Sequence, residues 1–160
     1  MPAMSGAPAP EELDPVDALV QLSFSVQALL TEIAAEHELS ITQLRVLGTL
    51  RDREPAMLDI ARYLKLEKSS VTGLVDRAER RGLVERSAVA HDGRAVHVRL
   101  TAKGRRLAEQ LTAQVSEALS ELLDVLPARD RARLSTLAST VVGQHAARHS
   151  VDRATGGGAG

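Results

Sequence analysis

The sequence predicts a mainly α-helical fold with one small β-hairpin: a winged helix-turn-helix joined to a helical dimerisation layer. Three observations carry this. Apolar residues recur at three- and four-residue steps through most of the chain, the period of a helix with one buried face. Between Val84 and Leu100 the period drops to two, around a loop containing Asp92-Gly93. Pro55, Gly82 and Pro127 punctuate the helical segments.

The elements follow in chain order. Asp14 caps a first helix with Pro15 at its first position and Asp17 in its first turn, where the helix dipole favours a carboxylate. Its stripe is Leu19, Leu22, Val26, Leu29, Leu30 and Ile33. Ser40 and Gln43 have capping-box spacing and open a second helix from Ile41 to Arg51. A short helix from Leu58 to Leu64, a turn at Lys65 and Leu66, and a helix through Arg81 that Gly82 ends form a helix-turn-helix in outline. Ala56 and Met57 supply no side-chain cap for the third helix. Val84 and Arg86, then Val96, Val98 and Leu100 alternating with His97 and Arg99, form the hairpin. Thr101 caps a long helix striped by Leu107, Leu111, Val115, Leu119, Leu122 and Leu126, and Pro127 starts a last helix holding Leu134, Leu137, Val141 and Val142. The expected organisation is a disordered N-terminus (1–13), an N-terminal dimerisation helix (14–40), a winged helix-turn-helix (41–104), C-terminal dimerisation helices (105–149) and a disordered tail (150–160). The apolar stripes of the first and last helices exceed what one small core covers, so a homodimer interface at Leu19, Leu22, Leu134, Leu137 and Val141 is expected.

Composition narrows the function classes. The chain has no cysteine, which excludes disulfides, thiolate nucleophiles, cysteine-ligated zinc and thiol redox sensing. Phe24 and Tyr63 are its only aromatic residues, too few for stacking single-stranded bases. No apolar run is read as a membrane span, no secretory signal is recognised, and a cytoplasmic protein is expected. The net charge of −1 conceals segregation: residues 1–59 hold 3 basic and 10 acidic side chains, residues 60–105 hold 11 and 5, and residues 106–160 hold 6 of each. A basic middle third is the footprint of a phosphate-binding module, with a solvated charged face as the alternative.

Positions 58 to 104 resemble the multiple antibiotic resistance regulator (MarR) family of winged-helix regulators. The resemblance rests on Ser70-Val71-Thr72, Leu74-Val75-Asp76-Arg77, Arg81-Gly82-Leu83-Val84, the wing pair Asp92 and Arg94, and Leu100-Thr101 followed by Gly104. With the flanking helices it extends over about residues 14 to 149. It implies a homodimer joined through the terminal helices, a recognition helix in each major groove, a wing arginine in the minor groove and often a small-molecule effector between the two layers. Lys65 departs from the pattern, standing where the family commonly has Gly.

The expected duplex-DNA contacts are Lys65, Lys68, Ser69, Ser70, Thr72, Gly73, Arg77, Asp92 and Arg94. Hydroxyls in the first turns of a helix can bond phosphates or base edges, or instead cap the helix. Arg77 can read guanine bidentately or pair with Asp76, and the two lysines can neutralise phosphates or stand solvated. Gly73 costs a helix about 1 kcal/mol relative to Ala, so its presence on the outward face suggests close approach to DNA. Phe24, His37 and Arg45 are candidates to line an effector pocket. His145 and His149 lie four apart without a further ligand, so no metal or other cofactor is assigned, and His91 and His97 are read as exposed wing residues. The function expected is a sequence-specific repressor released from a pseudo-palindromic operator by a small molecule. One alternative stays open, an architectural or partner-docking module without effector control; an enzyme is not expected, because no phosphate loop, cysteine or catalytic constellation is found.

Overall fold

The computed structural model describes residues 12–88 and 95–155, with side chains through residue 147 apart from that of Ala88. Its elements are α1 (Pro15–Glu36), α2 (Ile41–Leu50), α3 (Met57–Leu64), α4 (Lys68–Arg80), β1 (Val84–Ala88), β2 (Val96–Leu100), α5 (Ala102–Leu123) and α6 (Ala128–Thr155). They divide into two units, the first ending at Leu119 and the second beginning at Ser120.

Local chemistry sets most of the boundaries. The Asp14 carboxylate accepts from the N–H groups of Val16 (2.7 Å) and Asp17 (3.1 Å), which hold its pKa below the usual carboxylate range. Ser40 and Gln43 complete a reciprocal capping box. Thr101 caps α5 by accepting from the Gly104 N–H at 3.0 Å. The α3 N-cap, Ala56, makes no side-chain bond. Instead Ala56 bridges to His97, and Val98 N donates to Pro55 O, so the segment before α3 forms a third edge on the β1–β2 hairpin. That long-range pairing leaves no trace in local periodicity.

The first unit packs around an aliphatic core. Its fully buried members include Leu47, Ile60, Val71, Val75, Leu83, Val84 and Val98, drawn from α2, α3, α4 and the hairpin. Among the described residues no polar or charged side chain is buried. The antiparallel register pairs Val84 with Leu100 and Arg86 with Val98, which turns Val98 and Leu100 inward while Arg99 faces out to pair with Glu85. Arg81 Nη1 donates to Glu38 O and Nη2 to His37 O, at 2.8 and 2.9 Å, fastening the end of α4 to the end of α1. Gly82, with φ of 69°, takes the left-handed turn that returns the chain into β1.

In the second unit Pro127 O accepts from the N–H groups of Asp130 and Arg131, and Arg131 pairs with Asp124 at 2.7 Å. The helix α6 runs past residue 149, where the sequence places the start of the tail, because no proline follows Pro127 and the single Gly143 does not interrupt the helix. Although no apolar run of the sequence is read as a membrane span, α1 has an 18-residue window with a mean hydropathy of 1.4, long and apolar enough by composition to cross a membrane, a test that core helices of soluble proteins also pass. Its interspersed Ser23, Ser25 and Thr31 hydroxyls bond back to the helix's own carbonyls, so these residues interrupt the apolar run without breaking the helix.

At Gly104 the backbone passes so close to the turn after α4 that a Cβ would stand 1.8 Å from Leu83 O. Gly104→Ala is expected to destabilise the protein by about 3 kcal/mol, since only backbone movement relieves the overlap. Urea denaturation checks this; unchanged stability would show that α5 does not start there.

Candidate nucleic-acid interface

The helix α4 is held by Val71, Leu74, Val75 and Ala78 against the core, which leaves its other faces to solvent. Its N-cap is Glu67, without a side-chain bond. Ser69 and Ser70 therefore stand inside the first turn, exposed, and the capping alternative for Ser69 does not hold. The Thr72 hydroxyl donates back to Lys68 O at 3.0 Å, which fixes its rotamer while leaving the oxygen lone pairs available.

Two concavities flank this helix. On one side Ser69, Ser70, Gly73 and Arg77 join Ser40, Thr42 and Leu66, so the N-terminal ends of α2 and α4 open onto the same groove. On the other side Lys68 and Thr72 join Arg86, Met57, Leu58 and Val96 in a cleft of about 300 Å³ towards the hairpin. Ser40, Thr42 and Arg86 are absent from the residues picked out by sequence. The capping box at Ser40 marks a helix end and could have drawn attention to it; nothing local marks Arg86.

Arg77 lies back along α4 with Nη1 3.5 Å from where a Cβ on Gly73 would stand, an ordinary contact. The protein itself thus has room for alanine at 73. Asp76, the partner expected for Arg77 if it were a structural ion pair, is instead held by Arg86 at 2.5 Å. Lys65, Lys68, Arg77 and Arg80 form no ion pair with any other described residue. Lys65 ends α3 in the left-handed region, at φ 54° and ψ 46°, a conformation costing a side-chain-bearing residue about 1 kcal/mol. A cation is therefore kept in the helix-turn-helix turn where glycine would be less strained. Asp92 and Arg94 lie outside the described residues.

The other candidates fall elsewhere. Leu19, Leu137 and Val141 are 61%, 56% and 60% exposed, Leu22 is exposed and Leu134 half-buried. Phe24 and Arg45 are exposed, whereas His37 closes α1 and hydrogen-bonds Gln114 of α5 through Nε2 at 2.7 Å. None of these three lines the cleft of about 200 Å³ between α2 and α5, which is built from Leu44, Gly48, Arg51, Ala108, Leu111, Thr112 and Val115. There the Arg51 guanidinium bonds both Asp52 and the Thr112 hydroxyl. Among the described residues no three potential metal-ligating side chains come together.

The profile of the MarR family matches residues 37–95. The transcriptional regulator FarR of Neisseria gonorrhoeae is 34% identical over 68 residues, covering 42% of this chain and only 47% of the regulator. The homoprotocatechuate degradative operon repressor of Escherichia coli is 30% identical over 107 residues, covering 66% of this chain and 72% of the repressor. Among solved structures, apo wild-type MarR from E. coli superposes with a TM-score of 0.71 at 28% identity, over 82% of this chain and 98% of that one. NadR in complex with 4-hydroxyphenylacetate gives 0.67 at 25% identity, over 88% and 97%. The matched segment contains both helices of the helix-turn-helix and the start of the wing, and the structural likeness extends over the flanking helices; the chain belongs to the MarR family of DNA-binding transcription regulators.

Proposed function

We propose that this protein is a cytoplasmic, homodimeric repressor that inserts α4 of each protomer into the major groove of a pseudo-palindromic operator and leaves it on binding a small aromatic acid. The observation that carries this reading is the exposed face of α4: small hydroxyls, a glycine the protein does not need sterically, and cations without carboxylate partners. Lys65, Lys68 and Arg77 neutralise phosphates or read bases, Ser69, Ser70 and Thr72 fix register, and Gly73 lets the backbone approach the groove. Asp92 and Arg94 supply the minor-groove contact, where narrow A·T segments concentrate negative potential. Two-fold symmetry places half-sites about 10 base pairs apart.

The dimer is formed by α1 and α6, whose exposed Leu19, Leu22, Leu137 and Val141, together with Leu134, need a partner surface. The effector reading is supported by two names: one relative represses a homoprotocatechuate operon, and another is solved with 4-hydroxyphenylacetate. Both compounds are hydroxylated phenylacetates. The cleft between α2 and α5 pairs an apolar lining with one guanidinium and one hydroxyl, which suits such a ligand. Phe24, His37 and Arg45, which the sequence suggests for the effector, do not line this cleft.

Leu137→Glu should convert the dimer to monomer in sedimentation velocity, because a buried unpaired carboxylate costs several kcal/mol; a persistent dimer would remove α6 from the interface. Anisotropy titration of a duplex selected from a random pool tests the rest. Gly73→Ala should raise stability by about 1 kcal/mol yet weaken binding by about tenfold. Arg94→Ala should leave the melting temperature unchanged and cost binding about 1 to 3 kcal/mol, and 4-hydroxyphenylacetate should release the wild-type complex. Full affinity in both variants would contradict the groove assignment. Binding indifferent to the acid would leave an architectural or partner-docking protein without effector control.

A further inference from the structure

A helix built to meet phosphates should not carry exposed carboxylates, yet α4 carries Asp76 and Glu79 among Lys68, Arg77 and Arg80. Both are engaged by one side chain from the neighbouring strand. Arg86 of β1 places Nη2 2.5 Å from Asp76 Oδ1 and Nη1 against Glu79 Oε2, while its own N–H donates to Glu79 Oε1 at 3.4 Å. Its side chain is 28% exposed, less than either partner, and the two carboxylates keep the guanidinium more firmly protonated than usual, Asp76 most of all. By contrast the three cations of α4 are bound to no carboxylate among the described residues. The ion pairs are therefore sorted: every acidic group on the helix is engaged and every basic group is left available.

We propose that Arg86 is the internal counter-ion of the recognition helix, withdrawing the charge of Asp76 and Glu79 from the field that DNA phosphates experience, and is not itself a phosphate contact. Fixed charges within about 8 Å of a phosphate are only partly screened at physiological salt, so two free carboxylates beside Arg77 and Arg80 would oppose binding. The same contacts tie β1, and with it the base of the wing, to α4. Arg86 is thus a positioning and charge-setting residue that acts through its partners. The inference rests on the duplex-binding reading given above.

Charge-neutralising variants of the full chain separate this role from a merely structural one. On a random-sequence duplex of about 30 base pairs, which reports the phosphate part of binding alone, affinity should follow the net charge of the cluster. Asp76→Asn/Glu79→Gln should bind most tightly and the triple variant with Arg86→Gln should bind at least as well as wild type. Arg86→Gln alone should bind about fivefold more weakly than wild type. If the ion pairs act only by bracing the fold, all three variants bind more weakly than wild type, and the proposal fails. If Arg86 contacts phosphate directly, the triple variant stays weaker than wild type with a salt slope lower by about one, and the proposal fails as well. Should Arg86→Gln not fold, as judged by circular dichroism, the double and triple variants still give opposite orders under the competing accounts. Wild-type protein that ignores the duplex would overturn the DNA-binding reading and this inference with it, whereas wild-type binding with the wrong variant order would overturn the inference alone.

Discussion

The exposed face of α4, the proposed DNA-facing side, depends on how the C-terminal end of that helix is held. Three contacts converge there. Arg81 donates to the His37 and Glu38 carbonyls just after α1, Lys103 Nζ donates to Arg81 O at 2.9 Å, and the Thr101 hydroxyl donates to Gly82 O at 2.6 Å. Leu83, the next residue, is 1% exposed in the core, and its carbonyl lies where only a glycine at 104 fits. With that end anchored and the apolar stripe of α4 buried, the helix has one orientation, and its N-terminal half projects. The core that holds it is aliphatic, and among the described residues it contains no buried polar side chain to satisfy.

The exposed face follows from the same arrangement. Once Val71, Leu74, Val75 and Ala78 are inward, helical geometry leaves Ser69, Gly73 and Arg77 along one edge and Lys68, Thr72 and Asp76 along the other. The first edge opens towards the N-terminus of α2, and the second faces the hairpin. Electrostatics then distinguishes them. Arg77 on the first edge pairs with no carboxylate among the described residues, and Asp76 on the second is neutralised by Arg86 of β1. A basic patch embedded in a chain of near-zero net charge thereby becomes a directional one.

Much of the fold was legible in the sequence because helix ends are encoded by single residues that bond their own neighbours. Asp14, Ser40 with Gln43, Thr101 and Gly82 each act within a few positions, and the structure finds all four at work. The apolar periods place α4 and the hairpin for the same reason. What remained hidden is non-local. Pairing of Ala56 with His97, the reach of Arg86 across to α4, and the lining of the α2–α5 cleft each join residues distant in sequence, for which no spacing rule exists. The turn read at Lys65 and Leu66 sets the helix start beside Glu67, the N-cap of α4, although that cap uses no side-chain bond.

The central claim is that α4 meets the major groove and the wing meets the minor groove of one duplex. Dimethyl sulfate protection reads both at once, since it methylates guanine N7 in the major groove and adenine N3 in the minor groove. On a selected operator the account predicts two patches of protected guanine N7 about 10 base pairs apart, each flanked on its outer side by protected adenine N3. A bound complex in which guanine N7 stays fully reactive would contradict it.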